Sequence, residues 1–290
     1  MTAFTPRKLI LSFLFLLLAL PCGLIIAQQN EEPAPAKQPQ PQGQTPAQNL
    51  PFKIGEKLTY DISFKGVSAG TAVIHAVEKT KYNGQEVVRL VHSVQSKEWI
   101  NTIYKVENKA QSYLQIETLQ PLRFDNQTRS GSRQLNEYVI FEPEKKTAKY
   151  YRKKKDETVF SLRTEHKETP QKIQDPLSLL YYIRQFQLEK DKWISIKVCT
   201  GKRICELQLT SVKEKKLEIE GVGKFTAVKT DFKWLTKEGE QTQAEGLFAS
   251  KGKLELWLDK ETKIPLVMYA EIPVVGVVRV VLCKIERPEK

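Results

Sequence analysis

The sequence predicts a mainly β protein: one large, strongly curved antiparallel sheet, an open or spiral β-barrel, with one main helix packed against it. Runs in which apolar residues recur every second position are found along most of the chain, as expected of half-buried strands. Glycine and Asn-Gly turn signals separate these runs. One segment instead has apolar residues at three- and four-residue spacing, which is typical of an amphipathic helix.

The strand pattern is clearest where the predicted domain begins. Leu58, Tyr60 and Ile62 alternate with polar residues, and Asn83-Gly84 indicates a tight hairpin turn further on. Further alternating runs lie at residues 72–76, 87–94, 138–142, 194–196, 205–209, 254–259 and 275–282.

The predicted main helix spans residues 175–186. Asp175 is a good N-cap, and Pro176 stands at the first helical position, where its missing N–H costs nothing. Leu179, Ile183 and Phe186 lie on one face, and the segment is too apolar to rest in solvent. We therefore expect it to plug or cover the curved sheet. A second, short helix is predicted over residues 97–104.

The first residues have the pattern of a secretory signal peptide. Arg7 and Lys8 precede an apolar run, and Ala27 is a small residue suited to cleavage, so we assign 1–27 to the signal. An alternative is an uncleaved anchor, because the uncharged stretch is about as long as a membrane span of roughly 20 residues. Lipidation of Cys22 is disfavoured by Pro21 before it.

Residues 28–50 form a predicted disordered linker rich in proline and glutamine. They lack aromatic residues and carry almost no large apolar ones, so they cannot bury enough surface to offset the entropy of ordering. The remaining residues, 51–290, are enough for one large β domain.

The formal net charge of +12 predicts association with anionic surfaces. In an exported protein these would be lipid headgroups or anionic envelope polymers, and the compartment argues against nucleic acid. The basic stretch between Lys145 and Lys155 is read as a solvated hairpin end or as a contact with such a surface.

Three cysteines remain after the signal. Cys199 and Cys205 flank a hairpin tip that contains Gly201. If the turn centres on Lys202, the two thiols lie opposite each other and a disulfide is within reach, whereas a slip of one residue places them on opposite faces. With that pair bridged, Cys283 would be a buried free thiol.

Catalytic and metal-binding patterns are weak. Ser68 lies in GVSAG, which matches a nucleophile motif in letters, but strand-like residues on both sides favour a glycine-permitted turn or bulge. His75 and His92 could face each other across the predicted hairpin, and acidic residues cluster near Asp259. No histidine lies at metal-ligand spacing with another His or Cys. We therefore predict no catalytic residues, metal or cofactor.

Several short motifs, in this order, resemble a known family. They are FKIGEKLTY at 52–60, GVSAG at 66–70, DPLS at 175–178 with YIR at 182–184, and WLD at 257–259 with KIP at 263–265. The set is similar to the bacterial exported family called domain of unknown function 3108, over about 52–285. The charged stretch from Glu142 to Lys172 departs from the family pattern. The resemblance implies a periplasmic location and a curved, barrel-like β fold, and supplies no catalytic residues.

Together these observations predict a non-enzymatic exported cell-envelope protein that binds an apolar ligand, such as a lipid, within its curved sheet. The residues expected to line the interior or its mouth are Tyr60, Tyr181, Tyr182 and Trp257. Two alternatives remain: a scaffold or assembly protein that binds another envelope protein, and a hydrolase acting on wall polymers or esters.

Overall fold

The computed structural model describes residues 50–236, 241–242, 254–272 and 276–288. The predicted signal peptide and all but the last residue of the predicted linker lie outside these residues.

Fifteen strands and two short α-helices make up the regular structure of the described residues. In chain order they are β1 Lys57–Phe64, β2 Val67–Tyr82, β3 Gln85–Ser96, α1 Glu98–Tyr104, β4 Val106–Gln115, β5 Pro121–Ser130, β6 Arg133–Glu142, β7 Thr147–Lys154, β8 Ser161–Lys167, α2 Leu179–Tyr182, β9 Ile194–Cys199, β10 Ile204–Ile219, β11 Gly223–Leu235, β12 Gln241–Thr242, β13 Leu254–Asp259, β14 Pro265–Ile272 and β15 Gly276–Glu286. Turns of 3-10 helix span Pro143–Lys145 and Ile183–Gln185.

All fifteen strands belong to one antiparallel sheet. Its order is β8-β7-β6-β5-β4-β3-β2-β1-β15-β14-β13-β11-β10-β9, and β12 adds to β11. The chain thus runs as two meanders, which are joined because β1 pairs with β15. The edges are β8 and β9, two strands that follow each other in the sequence. The predicted fold class, a mainly β protein with one large antiparallel sheet, is confirmed.

The predicted alternation is the reason that these residues form strands with one buried face. In β1, Leu58, Tyr60 and Ile62 are buried while their neighbours are partly exposed. Asn83 and Gly84 both have positive φ, at 49° and 80°, as a two-residue hairpin turn requires. The hairpin predicted from Asn-Gly is therefore confirmed.

The sheet curls until its two edges come close. On β8, His166 Nε2 lies 2.8 Å from the carbonyl oxygen of Gly201, in the turn between β9 and β10. The Tyr150 ring on β7 packs on the same glycine. We call the place where the two edges meet the seam. The chain segment between β8 and β9 enters the sheet there, since Gln174 forms a parallel bridge with Val198 on β9. A sheet opened between consecutive strands and filled by the segment that links them accounts for the barrel-like shape.

Both helices predicted from the sequence exist, and one is shorter than expected. The prediction over 97–104 is confirmed by α1, Glu98–Tyr104. In the segment predicted as a helix over 175–186, the first residues form turns, α2 covers only Leu179–Tyr182, and 3-10 helix follows over Ile183–Gln185. We attribute the short helix to its surroundings, because tertiary packing of a buried segment overrides modest helix propensity.

The core is one connected cluster of apolar side chains from both meanders and from the segment at the seam. Leu177 and Leu179 in that segment are fully buried. Burying such side chains contributes roughly 1.5–3 kcal/mol each, so the segment is an integral part of the core. Among the described residues, no helix is long and apolar enough to cross a membrane.

Candidate functional site

The seam segment, which we define as residues 173–188, is held at its start by Asp175. The Asp175 Oδ1 accepts hydrogen bonds from the backbone N–H groups of Leu177 (2.7 Å) and Ser178 (2.9 Å). Its Oδ2 accepts a hydrogen bond of 2.6 Å from the Ser112 hydroxyl on β4. The capping role predicted for Asp175 is confirmed, and the same carboxyl ties the segment to the sheet.

Burial raises the pKa of Asp175 to about 6, against the hydrogen bonds from Ser112, Ser178 and Leu177, which favour the charged form. Asp175 and Ser112 are both 0% exposed, so water does not stabilise the charged form of the Asp175 carboxyl. The cap is thus a buried acid that changes its charge near neutral pH.

One side of the seam segment borders an apolar cleft. Leu179 and Ile183, four residues apart, form one wall, and the facing strands β10, β11 and β13 form the other. The cleft is narrow: its cavity volume is only about 20 Å³, and the larger figure of about 360 Å³ counts all the space between its side chains and the open solvent at its mouth. The wall contributed by the strands consists of Leu207, Leu209, Thr230, Phe232, Trp234, Leu256 and Leu258.

The cleft offers almost no polar surface to a ligand. Among the described residues that line the cleft, Thr230 alone carries a hydroxyl, and it donates to the carbonyl oxygen of Leu256 at 3.1 Å. Because this hydroxyl is already hydrogen-bonded, it does not require a polar group on a ligand. The chemistry of the cleft therefore suits a hydrocarbon chain or a flat apolar group.

A buried ion pair lies on another side of the seam segment. Arg184 Nη1 donates to Glu56 Oε1 at 2.5 Å, and the two side chains are only 2% and 5% exposed. Glu56 precedes β1, so the pair fastens the segment to the end of that strand. A second cation, Arg287, lies 3.6 Å from the other Glu56 oxygen.

Two of the tyrosines predicted to line the interior surround this ion pair. The guanidinium of Arg184 stacks over the Tyr181 ring, with 4.8 Å between Cζ and the ring centroid. Phe52 packs on the other edge of Tyr181, with the ring centroids 4.6 Å apart. Tyr60 is also buried, and burial raises the pKa of both tyrosines while Arg184 partly offsets this rise. Tyr60 and Tyr181 belong to the core here and do not line the cleft.

The other two predicted residues lie apart from this pair. Tyr182 is buried beside Phe186, with the ring centroids 5.4 Å apart. Trp257 lies on the face of the sheet opposite to the seam segment, since its neighbours Leu256 and Leu258 point into the cleft. Its indole N–H donates to Glu255 at 2.6 Å, and the Lys215 ammonium covers its ring at 4.0 Å. Trp257 is only 2% exposed and belongs to the core cluster, but it does not line the cleft, so its role in binding a ligand stays a prediction.

The cysteines also differ from the expected arrangement. Cys199 lies opposite Ile204 and Cys205 lies opposite Val198, so the turn does not centre on Lys202. The two cysteines are therefore one position out of register across the ladder. Both are buried and neither is in a disulfide, and burial raises the pKa of Cys199 to about 12. Cys283 is exposed and its thiol donates to the carbonyl oxygen of Thr59 at 3.3 Å, so the expectation of a buried thiol there is wrong.

The two histidines do not face each other. A bulge between Ala76 and Glu78 shifts the register, so that Ile74 is opposite His92 and His75 is opposite Val91. His92 is consequently buried, and His75 lies on the partly exposed face. A single inserted residue moves the side chains of the rest of the strand to the opposite face of the sheet.

Ser68 lies in a hairpin and not on a strand-to-helix turn. Lys65 and Gly66 form the turn with positive φ, and Ser68 follows on β2, where its hydroxyl donates to Asp61 on β1. The interpretation of GVSAG as a glycine-permitted turn and bulge is confirmed. Among the described residues, no group of three or more His, Cys, Asp or Glu is placed to hold a metal ion.

Sequence reasoning missed the ion pair and the strand wall of the cleft. In the sequence Arg184 stands out only as part of a short motif, and Glu56 lies 128 positions away, so nothing local connects them. Leu207, Leu209, Leu256 and Leu258 were recognised as strand positions, and the helix spacing of Leu179 and Ile183 was recognised as well. What could not be foreseen is that these two sets face each other.

The fold and its seam define an open, barrel-like antiparallel β protein with a buried plug. The chain belongs to the family described as "Protein of unknown function (DUF3108)", whose model matches residues 59–282. No curated protein matches the chain significantly.

The solved structures that match the chain share little sequence identity with it. A β-barrel-like protein of domain of unknown function DUF1849 from Brucella abortus has a TM-score of 0.47 and 10% identity, over 82% of this chain and 100% of that one. A candidate exported protein with a YmcC-like fold from Bacteroides fragilis has a TM-score of 0.34 and 9% identity, over 82% and 98%. A candidate lipoprotein from Parabacteroides distasonis has a TM-score of 0.34 and 8% identity, over 82% and 98%.

Proposed function

We propose that the protein is a non-enzymatic, exported cell-envelope protein that binds the hydrocarbon chain of a lipid in the cleft between the seam segment and strands β10, β11 and β13. The observation that carries the proposal is the lining: eight of its nine residues are apolar, and the ninth, Thr230, has its hydroxyl bonded to Leu256. Binding pockets for small molecules are lined in this way.

The geometry of the seam supports binding of an elongated apolar group. The segment is tied at its start by Asp175 to β4 and at its end by Arg184 to Glu56, while Leu179 and Ile183 between these ties face the cleft. Because the groove is narrow, a bound chain would have to displace the side chains that face it between the two ties. A hydrocarbon chain would then be held by packing alone.

Export is supported by the N-terminal sequence. Arg7, Lys8 and the apolar run that follows form the pattern of a secretory leader, with Ala27 before the proposed cleavage point. The net charge of +12 favours a location beside anionic envelope surfaces. N-terminal sequencing of the protein from the envelope tests this part, because Met1 at the N-terminus would contradict cleavage.

A cleft-filling variant tests the ligand site. Leu209→Trp places a larger side chain in the groove, and Val212→Trp introduces the same side chain at an exposed position of the same strand. With the fluorescent fatty acid cis-parinaric acid as the probe, we expect affinity to fall at least about tenfold for Leu209→Trp and to stay unchanged for Val212→Trp. Equal affinity of the two variants and the parent would contradict the cleft as the site.

A further inference from the structure

One end of the curled sheet carries most of its exposed large apolar side chains. The described residues include six such side chains, and five of them lie near this end: Val67 (55% exposed), Trp99 (48%), Val159 (73%), Leu162 (49%) and Val277 (51%). Val212, within β10, is the sixth, and the connections at the opposite end carry none of the six.

These residues share an end because of the antiparallel order. The turns β1–β2, β5–β6 and β7–β8 and the β3–β4 connection lie at the same ends of neighbouring strands, and β15 begins there, since Phe64 pairs with Val278. We call residues 64–67, 96–106, 130–133, 154–161 and 276–278 the turn rim. Leu162 adjoins it on β8.

The parts of the turn rim contact one another. The Trp99 indole N–H donates to the Ser68 carbonyl oxygen at 3.1 Å, which joins α1 to the β1–β2 hairpin. The backbone N–H of Gly131 donates to the Lys105 carbonyl oxygen at 2.9 Å, which joins the β5–β6 turn to the end of the same connection. These two bonds join the rim at residues 64–67, 96–106 and 130–133.

Trp99 is oriented as an interfacial tryptophan would be. Its one polar atom is bonded to Ser68, so what it offers to a partner is a half-exposed aromatic face. Tryptophan side chains with this amphipathic arrangement are enriched where proteins meet the headgroup region of a bilayer.

The charges of the turn rim favour a negatively charged partner. Within the ranges that define the rim there are six Lys or Arg and three Asp or Glu. Lys65 and Lys155 are exposed beside the apolar projections, and the Lys65 ammonium lies 5.4 Å from the centroid of the Phe64 ring. Cations placed between exposed apolar side chains are typical of surfaces that bind anionic lipid.

From these features we infer that the turn rim docks the protein on an anionic lipid bilayer, with Trp99 and the exposed valines entering the headgroup layer. The apolar side chains are spaced around the rim with lysines between them, whereas protein interfaces have a contiguous apolar centre from which lysine is depleted. This inference is independent of the cleft, which lies inside the sheet.

Tryptophan quenching tests the docking without interference from the N-terminal apolar run. Residues 1–50 contain no tryptophan, so insertion of that run is silent in this measurement. The full chain is mixed with phosphatidylcholine vesicles that contain phosphatidylglycerol and bromine-labelled acyl chains. We expect tryptophan emission to be quenched, most of the quenching to be lost in Trp99→Tyr, and Trp193→Phe to behave as the parent. Absence of quenching, or equal quenching in Trp99→Tyr, would overturn the inference.

Charge reversal at matched positions tests the lysines. Lys65→Glu/Lys155→Glu alters the turn rim, and Lys146→Glu/Lys81→Glu alters the opposite end; Lys65 and Lys146 are both exposed turn residues with positive φ. We expect the first double variant to reduce quenching several-fold and the second to leave it unchanged. Circular dichroism of each variant checks that it is folded. Equal behaviour of the two folded double variants would contradict docking by the rim.

Discussion

At the scale of single residues, two buried groups respond to pH in opposite directions. His92 is buried on the inner face, and burial lowers its pKa to about 4, so it is neutral in the folded protein. Asp175 is buried in the cap of the seam segment, and burial raises its pKa to about 6. The neutral form is favoured in both cases, but acid charges the histidine and neutralises the aspartate.

The His92 contribution to stability is expected to be lost in acid. Because its folded pKa of about 4 lies below the ordinary value of 6.5, the contribution is complete above pH 6.5 and falls as the pH drops toward 4. The shift corresponds to about 3 kcal/mol. Relative to His92→Gln, the parent should lose about this much free energy of unfolding between pH 7 and pH 4 in urea titrations. His75→Gln, on the partly exposed face of the same hairpin, should show a much smaller difference.

The contribution of Asp175 is expected to have the reverse dependence. Its raised pKa makes the protonated form the stabilising one, so the contribution is complete below pH 3.8 and is lost as the pH rises through 6. Relative to Asp175→Asn, which keeps a capping side chain, the parent should lose stability between pH 4 and pH 7. Ser112→Ala removes a donor that stabilises the carboxylate, so it should raise the pKa of Asp175 further and move the loss to higher pH. A parent and Asp175→Asn variant with the same pH profile would contradict a buried, titrating cap.

The ion pair of Glu56 and Arg184 should matter more than any exposed pair. Glu56→Leu leaves the Arg184 guanidinium buried without its anion, which costs about 3–5 kcal/mol, whereas Glu56→Leu/Arg184→Met removes both charges and should recover much of this loss. The control is Lys57→Ala, which breaks the half-exposed pair with Glu286 and should cost less than about 1 kcal/mol. Urea unfolding measures all three. Similar losses for Glu56→Leu and Lys57→Ala would contradict the buried pair.

What could be predicted for single residues depended on whether the cause was local. The Asp175 cap follows from Asp-Pro before an apolar run, and this prediction is confirmed. Whether Trp257 borders the cleft depends on which side of the sheet the seam segment covers. The pairing of Glu56 with Arg184 depends on how two segments that are distant in the sequence meet. Neither cause has a local signal.

At the scale of elements, the contact across the seam depends on Gly201. This glycine has a φ of +93°, and a Cβ atom there would lie 2.7 Å from the Tyr150 ring. Gly221 has a similar φ of +72° with open space around it, so it is the matched control for backbone strain alone.

Gly201→Ala is therefore expected to destabilise the protein more than Gly221→Ala. Both variants incur the strain of a positive φ, and only the first must also displace Tyr150. Overpacking of this kind costs about 1–3 kcal/mol, which should be seen as the difference between the two variants in urea unfolding. Equal stability of the two would contradict the close approach of the edges.

Element type could be predicted better than element pairing. Period-two runs and Asn83-Gly84 indicated strands and a hairpin, and both are found. The bulge between Ala76 and Glu78 inserts one residue without breaking the strand, so it changes which histidine is buried while leaving little mark on the pattern. The short α2 has a similar origin, since neighbours in space decide how far a buried segment stays helical.

At the scale of the whole molecule, an open sheet closed by its own connecting segment combines a filled core with a narrow apolar groove. The sequence indicated a curved sheet and a helix to cover it, because many strands and one apolar helix leave few other arrangements. It could not indicate that the opening falls between β8 and β9, since that depends on β1 pairing with β15 across the full length of the chain. The groove exists because the segment enters at that opening.

The most direct test of lipid binding is native mass spectrometry of the protein extracted gently from its own envelope, compared with the Leu209→Trp variant. The account predicts a co-purifying lipid on the parent, absent from Leu209→Trp and present on Val212→Trp. A parent that carries no lipid, or a variant that carries as much as the parent, would contradict the cleft as a lipid site.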